Sequence, residues 1–539
     1  MQQSVIQTPV LIVGGGSVGL ATAIELGSRH IPCLVIEQSD RPAAHPRATA
    51  LNARSMEFMR RWGLADAIRA AAAPPDFPHT ALDCTALNGF EIAKVERPDH
   101  GGDRASAVSP ESAQRCNQIW TDPILRDGAQ SFDCVDLRFG WRFEALEQTD
   151  DFVRVTVRDL ARDEQHVIEA RYVVDCTGAH TPIRRALGVA LNGGEGMTYH
   201  VSAYLRAPNL WDHHDKGKAA LINFVGPGGI WRNLVSLDGR DLYRFGIRGK
   251  EHYDDPQAID VPKLFREVAG DKAPFEVISV GRWTARNVVA DRYQVGRVFF
   301  AGDAAHLNHP ASGLGLNTGL GDATNIGWKL AATIAGWGGA GLLASYEAER
   351  RPIAARNVAH AERMNKNDRG QKPPSEIVDA TIEGAQARKE MGERIAQALK
   401  QKFVTNGLAL GYSYAGSSVC ALSDDPAPPE SVSSYIPSTY PGVRAPHAWL
   451  SQNQSTLDLF GDGFTLLTFS QDHEAHAQVQ AAFAMRGVPL HVAPVADPAV
   501  RALYERDFVL VRPDGHVAWR ADAAPADPLA MVDRLRGAA

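Results

Sequence analysis

The sequence predicts an α/β protein in which a Rossmann-like nucleotide-binding domain carries an inserted antiparallel sheet and is followed by a smaller α/β domain. Three observations lead to this class. A buried-strand pattern, PVLIV, runs directly into a glycine-rich turn and a helix. Between about Leu187 and Trp283 the pattern changes to the alternation typical of half-buried strands. The 539 residues also exceed the size at which one core stops growing, so two or three domains are expected.

Composition argues against several classes of protein. Hydrophobic residues make up 44% and charged residues 22% of the chain, as in a soluble globular protein. The net charge of −7 includes no block of like charge, which argues against nucleic acid and membrane surfaces as partners. The six cysteines form no C-x-x-C pair, so no metal site or disulfide framework is expected. Without a signal peptide or an apolar run of ~20 residues, we expect a cytoplasmic protein.

The first element is a βαβ unit with a dinucleotide-binding turn. Gly14, Gly16 and Gly19 fill the G-x-G-x-x-G positions between PVLIV and the helical stretch LATAIELGSRH, and IPCLVIE follows as a second buried strand. A pyrophosphate needs this close backbone approach, since it binds the free N–H groups at the helix start, where Ser17 and Val18 lie.

The acidic residue Glu37 narrows the choice of dinucleotide. It ends the second strand at about the spacing, roughly 20 residues after the first glycine, at which a carboxylate binds a ribose hydroxyl. A carboxylate at this position would repel a 2′-phosphate. The residues therefore predict FAD or NAD, rather than NADP, as the bound dinucleotide.

A second segment, RVFFAGDAAHLNHPASGLGLNTGLGDATNIGWKLAATIAGW, predicts a strand, a polar turn, a glycine-rich loop and a long helix. It resembles the second FAD-binding segment of the group A flavoprotein monooxygenases, the single-component aromatic hydroxylases, whose pattern is approximately GDAAHxxPPxxGxGxNxGxxDxxNLxWKL. The resemblance extends along the whole chain. It implies that FAD is the cofactor and that the two distant segments hold opposite ends of it.

The resemblance implies a role for each residue that matches the pattern. Asp303 would hydrogen-bond the ribityl chain, and Pro310 would pack beside the isoalloxazine. Backbone N–H groups would face the pyrimidine edge of the ring, where reduced flavin carries negative charge; they belong to Gly313, Gly315, Leu316 and Asn317. The alternative makes Asp303 an ordinary N-cap and His306 a structural histidine, and for His306 we favour that alternative.

Two further segments resemble family cofactor contacts. HPRATALNARSMEFMRRWGL points to Arg47, and CNQIWTDPILRDGA points to Gln118, although either could be a solvated polar residue. VVDCTGAHTPIRRALGV resembles the signature associated with flavin and reduced nicotinamide. Thr177 replaces its usual Asp, while Gly178, Thr181 and Arg184 remain, so the interaction with NADH or NADPH stays open.

The alternating middle region is the predicted substrate domain. Residues 197–206 alternate, and Asp238-Gly239 is a strong hairpin signal. The resemblance implies an antiparallel sheet that covers the flavin, with an aromatic substrate between them. The candidate substrate-binding residues, each of which could instead be an exposed or core residue, are Tyr204, Asn223, Trp231 and Arg244.

The candidate catalytic residues are Pro310, Arg244 and Tyr204. LYRFGI resembles a phenol-hydroxylase strand in which an arginine and a tyrosine act at the substrate; Arg244 matches the arginine, but Gly246 replaces the tyrosine. The family aspartate that deprotonates phenol falls on Thr49. Any base must therefore be another group, such as a histidine, or the acidity of the substrate itself must suffice.

The predicted domain organisation follows from these segments. Residues 1–186 and 284–365 form the FAD-binding domain, and 187–283 form the substrate sheet. Residues 366–440 form a helical and linker region, rich in Pro and Ser towards its end. Residues 441–539 resemble the thioredoxin-like domain of many aromatic hydroxylases, but no cysteine follows Cys420, so dithiol chemistry is excluded. A structural or oligomer-contact role is expected.

The function implied by the resemblance is an FAD-dependent monooxygenase. NADH or NADPH would reduce FAD, O2 would add at the flavin C4a carbon, and the hydroperoxide would hydroxylate a substituted phenol or catechol ortho to its hydroxyl. Two alternatives keep this chemistry: a hydroxylase of polyketide-type aromatics, and one that displaces a ring nitro or halide group. A third is a flavin-free binding protein of the same fold. We expect the protein to bind no metal and to form a homodimer.

Overall fold

The computed structural model describes residues 5–41, 44–96, 107–194, 198–248, 258–310, 313–370 and 372–539. Within them, the chain forms four sheets surrounded by helices. The predicted α/β class is confirmed: a Rossmann-like domain carries an inserted, mainly antiparallel sheet and precedes a C-terminal thioredoxin-like domain.

The first sheet contains the N-terminal βαβ unit. Its described strands are β1 (Ile6–Val13), β2 (Cys33–Glu37), β5 (Val135–Phe139), β6 (Trp141–Gln148), β7 (Val153–Asp159), β8 (Glu164–Asp175), β16 (Gln294–Val295) and β17 (Val298–Phe300). The order is β16-β17-β8-β1-β2-β5, and β7 and β6 continue from β8 as an antiparallel pair. The five strands from β17 to β5 are parallel, so the carboxyl ends of β1, β8 and β17 meet at one edge.

Helices pack against this sheet. The helices of this domain are α1 (Ser17–Gly27), α2 (Ala53–Arg61), α3 (Ala65–Ala71), α4 (Gln118–Gln130), α5 (Pro182–Ala186), α7 (Gly315–Ile334) and α8 (Ala340–Gly370). Of these, α1 contacts β1 and β2, and α4 contacts β5. Helix α1 packs against both α4 and α7, and α7 packs against α8. A long stretch of α7 is buried, which the sequence predicted only for its apolar stripe.

The second sheet is the inserted one. Its described strands, in spatial order, are β14 (Glu276–Ala285), β10 (Thr198–Arg206), β13 (Leu242–Arg248), β12 (Gly229–Ser236), β11 (Leu221–Gly226), β3 (Thr80–Cys84) and β4 (Glu91–Glu96). Two of its strands, β3 and β4, come from outside the predicted range 187–283, and β3 joins β11 in parallel. One face buries Val201, Phe245 and Ile247 against α6 (Val261–Ala269). Helix α9 (Ile382–Phe403) packs at the β4 end.

The remaining elements are a small sheet and the C-terminal domain. Strands β9 (Leu191–Gly193), β15 (Val288–Ala290) and β18 (His306–Leu307) form the small sheet, and α10 spans Asn406–Ala409. The C-terminal sheet has the order β20-β19-β21-β22 and is flanked by three helices. These elements are β19 (Phe464–Thr468), α11 (His473–Met485), β20 (Leu490–Pro494), α12 (Pro498–Tyr504), β21 (Phe508–Val511), β22 (Val517–Ala521) and α13 (Pro528–Leu535). In the described part of the chain, no helix has the length and apolarity needed to cross a membrane.

The turn after β21 reaches into the FAD-binding domain. Both terminal nitrogens of Arg512 donate to the Glu349 carboxylate, at 2.7 and 2.8 Å. Asp514 accepts from Arg512 at 2.6 Å and from the indole N–H of Trp328, on α7, at 3.2 Å. All four side chains are almost fully buried, so these ion pairs form an internal contact between the two domains.

Candidate active site

The turn between β1 and α1 packs tightly at two glycines and is open at the third. Gly14 has φ +113°, and a Cβ on it would overlap the carbonyl oxygen of Cys176. A Cβ on Gly19 would overlap the carbonyl oxygen of Gly14. Around the Cβ position of Gly16, by contrast, no heavy atom of the described residues beyond its chain neighbours lies within 4 Å. The backbone at Gly16 is therefore open to a ligand.

The first turn of α1 offers N–H groups at this opening. The N–H groups of Ser17 and Val18 precede the Leu20 N–H, which donates to the Gly16 carbonyl at 3.0 Å. Glu37 lies beside the same turn, because the Gly15 N–H donates to its Oε2 at 2.8 Å and the Ser39 N–H donates to its Oε1 at 2.9 Å. The helix start expected to bind phosphate and the carboxylate expected to bind ribose thus lie together.

The segment around Asp303 lies next to this turn although almost 300 residues separate them. Phe300 and Val13 are both register partners of Asp175, so their strands end side by side. A Cβ on Gly302 would lie 2.8 Å from Cγ2 of Val18, which shows how closely the two segments approach. The two halves of the expected cofactor site meet at Val18.

Asp303 is exposed to solvent. Desolvation by the surrounding protein raises the pKa of its carboxyl group, although His306 and Arg47 act in the opposite direction. His306 is buried, and its Nε2 lies 3.0 Å from Oδ2 of Asp322. Arg350 Nε donates to the other oxygen of Asp322 at 2.8 Å. His306 is therefore a hydrogen-bonded core residue, the role that the sequence favoured.

The start of α7 presents a second set of N–H groups. Those of Gly315, Leu316 and Asn317 fall in its first turn, where no intrahelical acceptor exists. Gly313 forms the preceding turn with φ +65° and donates its N–H to the Pro310 carbonyl at 3.1 Å. The Pro310 side chain is exposed. This geometry suits an anionic ring edge at the helix start.

The side chain of Asn317 has a role that the sequence did not predict. Its Oδ1 accepts from the Asn52 N–H at 2.9 Å and from the Ser55 hydroxyl at 2.6 Å. Its Nδ2 donates to the carbonyls of Gly313 and Ala50 at 2.7 and 3.1 Å. Asn317 therefore joins the glycine loop to the start of α2.

Gln118 and Ser17 meet at a residue missed in the sequence, Asp122. Gln118 Nε2 donates to Oδ2 of Asp122 at 3.1 Å, and the Ser17 hydroxyl donates to Oδ1. Burial raises the pKa of Asp122 to about 6. The Gln118 N–H also donates to the Ala48 carbonyl at 2.8 Å, next to the exposed Arg47. The i, i+4 spacing of Gln118 and Asp122 on one helix was the available signal.

Thr177 belongs to a buried hydrogen-bond network. Its hydroxyl donates to Oδ1 of Asp175 at 2.6 Å, and the Thr181 hydroxyl donates to Oδ2. Asp175 is fully buried, which raises its pKa despite these bonds. Arg184 donates to the Val189 carbonyl at 3.0 Å. The threonine at position 177 is therefore held by a hydrogen bond to Asp175, the last residue of β8.

One face of the inserted sheet points towards this site. Directly paired residues share a face, so Tyr204, Arg244 and Ser279 lie together. The ring of His45, from the loop between β2 and α2, is 2.7 Å from the Ser202 hydroxyl through Nε2 and 2.9 Å from the Ser279 hydroxyl through Nδ1. We call the sheet face that carries Tyr204, Arg244 and Ser279 the inner face. Burial raises the pKa of Tyr204, so its phenol remains neutral.

The inner face is cationic. Arg115 is buried and donates to the Ser236 carbonyl at 3.1 Å; burial, and then the nearby Arg244, lower its pKa to about 10. Burial also lowers the pKa of Arg244, and no carboxylate of the described residues offsets this. Burial and the two arginines Arg244 and Arg47 lower the pKa of His45 to about 4, so its ring is neutral at pH 7.

Trp231 requires a correction. It was predicted to line the substrate pocket, but its ring packs against the apolar core on the opposite face, with the Arg232 guanidinium 4.7 Å from its centroid. The cause is a register shift between Phe224 and Val225, which interrupts the alternation of β12 at this point. Asn223 does lie on the inner face, paired with Asn233, and is buried.

These residues form a site suited to a flavin dinucleotide. The open backbone at Gly16, the helix starts and the accessible Asp303 fit a molecule with a pyrophosphate, a polyol chain and an anionic ring. Residues 7–361 match the family model described as an FAD binding domain, and residues 438–539 match that of the aromatic-ring hydroxylase C-terminal domain. The chain belongs to the FAD-dependent monooxygenases that hydroxylate aromatic rings.

Relatives of this monooxygenase match almost all of its length. Tetracenomycin B2 monooxygenase-dioxygenase of Streptomyces olivaceus is 30% identical over 98% of this chain and 98% of its own. The 4-methyl-5-nitrocatechol 5-monooxygenase of a Burkholderia species is 30% identical over 98% of this chain and 97% of its own. The solved structure of RebC with bound 7-carboxy-K252c has a TM-score of 0.92 and 38% identity, covering 99% of this chain and 100% of RebC.

The monooxygenase departs from the phenol-hydroxylase pattern at Thr49. The Thr49 hydroxyl accepts a hydrogen bond from Asn117 Nδ2 at 3.1 Å, so a threonine here serves a structural contact. His45 and Arg115 were not identified from the sequence; the only signal for His45 was its place two residues before Arg47. Within the described ranges no cluster of three His, Cys, Asp or Glu side chains could hold a metal, and family membership argues against a flavin-free binding protein.

Proposed function

We propose that the enzyme uses NADH or NADPH and O2 to hydroxylate a substituted phenol or catechol ortho to a ring hydroxyl. The cationic inner face supports this proposal. A free phenol has a pKa of about 10 and attacks an electrophilic oxygen best as the phenolate. Arg244 and Arg115, whose guanidinium groups have no carboxylate offsetting their burial among the described residues, would favour the ionised form.

The chain contributes position, charge and exclusion of water. Bound FAD supplies electron transfer from the nicotinamide and activation of O2. Arg244 would hold the phenolate oxygen against the inner face. The neutral ring of His45, bonded to two serines of that face, would keep the loop that carries Arg47 next to the sheet. The apolar packing behind the sheet keeps bulk water from the opposite side.

One experiment tests the proposal. The purified protein is expected to be yellow and to oxidise NADH or NADPH faster when a phenol of a test panel is present. Hydroxylated product and peroxide are quantified together. Arg244→Met is expected to lower kcat/KM by about 10- to 100-fold and to shift activity towards higher pH, since the phenol must then ionise unaided. Arg240→Met, on the exposed hairpin turn, is the control. No stimulation by any phenol would contradict the proposal.

A second candidate is a larger, polyketide-type aromatic substrate or one whose nitro group is displaced. The relatives named for tetracenomycin B2 and 4-methyl-5-nitrocatechol support these candidates. Nitrite release from 4-nitrocatechol would favour the candidate that displaces a nitro group. Hydroxylation of a polycyclic phenol in preference to a monocyclic one would favour the polyketide-type candidate.

A further inference from the structure

Asn233 and Gly246 form a pair at the centre of the inner face. They are direct register partners on β12 and β13. A Cβ on Gly246 would overlap Oδ1 of Asn233 and would lie 3.0 Å from its Cγ. The carboxamide therefore occupies the space that a side chain at position 246 would take. This is a structural reason for the glycine at the position where the phenol-hydroxylase strand that LYRFGI resembles has a tyrosine.

The carboxamide oxygen of Asn233 is buried without a donor. No described residue hydrogen-bonds it, and Nε of Arg244, two residues from Gly246 on the same strand, is likewise buried without an acceptor. A buried polar atom without a hydrogen-bond partner destabilises a folded protein, so such atoms need an explanation. Here an acceptor and a donor lie on neighbouring positions of one face and do not satisfy each other. A ligand with the complementary pair of groups would satisfy both.

We propose that Asn233 is a specificity-determining residue that accepts a hydrogen bond from a substrate hydroxyl next to the oxygen held by Arg244. The preferred substrate is then of the catechol type: one oxygen ionised at Arg244, and the neighbouring O–H donating to Oδ1 of Asn233. This inference rests on the proposed function, since it assumes that the inner face binds the aromatic ring. It decides between the simple phenols and the catechols that the sequence left open.

The test compares two probes that differ by one donor. Catechol and its O-methyl ether, 2-methoxyphenol, are titrated into the oxidised holoenzyme, and binding is followed by the change in flavin absorbance. The wild type is expected to bind catechol about 10- to 100-fold more tightly than the ether, as for one buried hydrogen bond. Asn233→Leu, which keeps the approximate shape but removes the acceptor, should reduce this ratio to about one.

Two further variants separate a lost acceptor from a damaged fold. Asn233→Asp keeps an acceptor and should keep the preference for catechol, although it weakens binding of both probes. Gly246→Ala leaves Asn233 in the chain but displaces its carboxamide, and should lower the ratio as Asn233→Leu does. Flavin content of each variant reports whether the site is intact.

Failure of this inference differs from failure of the proposed function. If wild-type enzyme hydroxylates phenols but Asn233→Leu retains the catechol preference, only the role of Asn233 is wrong. A wild type that binds neither probe, or that prefers the ether, also contradicts the inference. If no phenol stimulates NADH or NADPH oxidation, the proposed function itself is wrong.

Discussion

A Cβ on Gly319 would lie 2.6 Å from Cγ2 of Val18, so α7 crosses α1 at a contact that leaves no room for a side chain. The same Val18 atom faces Gly302. This one crossing brings the glycine turn after β1 and the Asp303 segment together.

Gly319→Ala is therefore expected to push α7 away from α1. Overpacking of this kind costs about 1–3 kcal/mol, and here it would also separate the two halves of the FAD site. We expect a lower thermal midpoint and a lower ratio of flavin to protein after purification. Gly461→Ala is the control, because no heavy atom of the described residues beyond its chain neighbours lies within 4 Å of its Cβ position. Equal flavin content in both variants would contradict the role of this crossing.

Asp303→Ala is expected to lose FAD and activity together. The carboxylate is exposed and would accept a charge-assisted hydrogen bond from the ribityl chain, so its removal should weaken flavin binding by about 10- to 100-fold. Fluorescence titration of the apoprotein with FAD measures this. Retention of wild-type affinity would rule out the ribityl assignment.

Asp122→Asn is expected to stabilise the apoprotein above pH 6. The pKa of Asp122 is raised to about 6, above its unfolded value of 3.8, so the folded state binds the proton more tightly. Stability is therefore lost as pH rises from about 4 through 6, and the asparagine variant should escape this loss. Thermal midpoints at pH 4 and pH 7.5 measure it, with the exposed Asp127→Asn on the same helix as control. Identical pH profiles for wild type and Asp122→Asn would refute the assignment.

His45→Ala is expected to uncouple the reaction without removing FAD. The variant breaks the two hydrogen bonds that join the loop before α2 to Ser202 and Ser279, so water reaches the reacting centre more easily. The ratio of hydroxylated product to peroxide should fall several-fold while NADH or NADPH oxidation continues. His473→Ala, on the exposed start of α11, should leave the ratio unchanged. An unchanged ratio in His45→Ala would show that the loop needs no such link.

The local parts of the site were predictable from the sequence because their physics is local. A buried strand, three glycines and a helix start specify the phosphate turn within about twenty residues, and the structure places Glu37 beside it as the spacing predicted. Family resemblance predicted the approach of Asp303, which no local pattern contains.

Contacts between distant strands and loops were not predictable in the same way. The register shift beside Val225 places Trp231 on the opposite face from the one that alternation predicts. No turn residue in the sequence indicates that shift. His45 and Arg115 gain their positions from the sheet they contact rather than from their neighbours in the chain. Strands β3 and β4 likewise join the inserted sheet from more than 100 residues before β11.

The ion pairs of the turn after β21 connect the C-terminal domain to the cofactor site. Trp328 and Lys329 lie on the same helix whose first turn would face the flavin ring, and Glu349, which bonds Lys329 at 2.7 Å, also takes both bonds from Arg512. A chain shortened before β19 would leave Glu349 bonded to Lys329 but without Arg512, and would leave the Trp328 indole without Asp514. The C-terminal domain is thus part of the support of α7, the helix whose first turn would face the flavin ring. Its removal is expected to destabilise that helix.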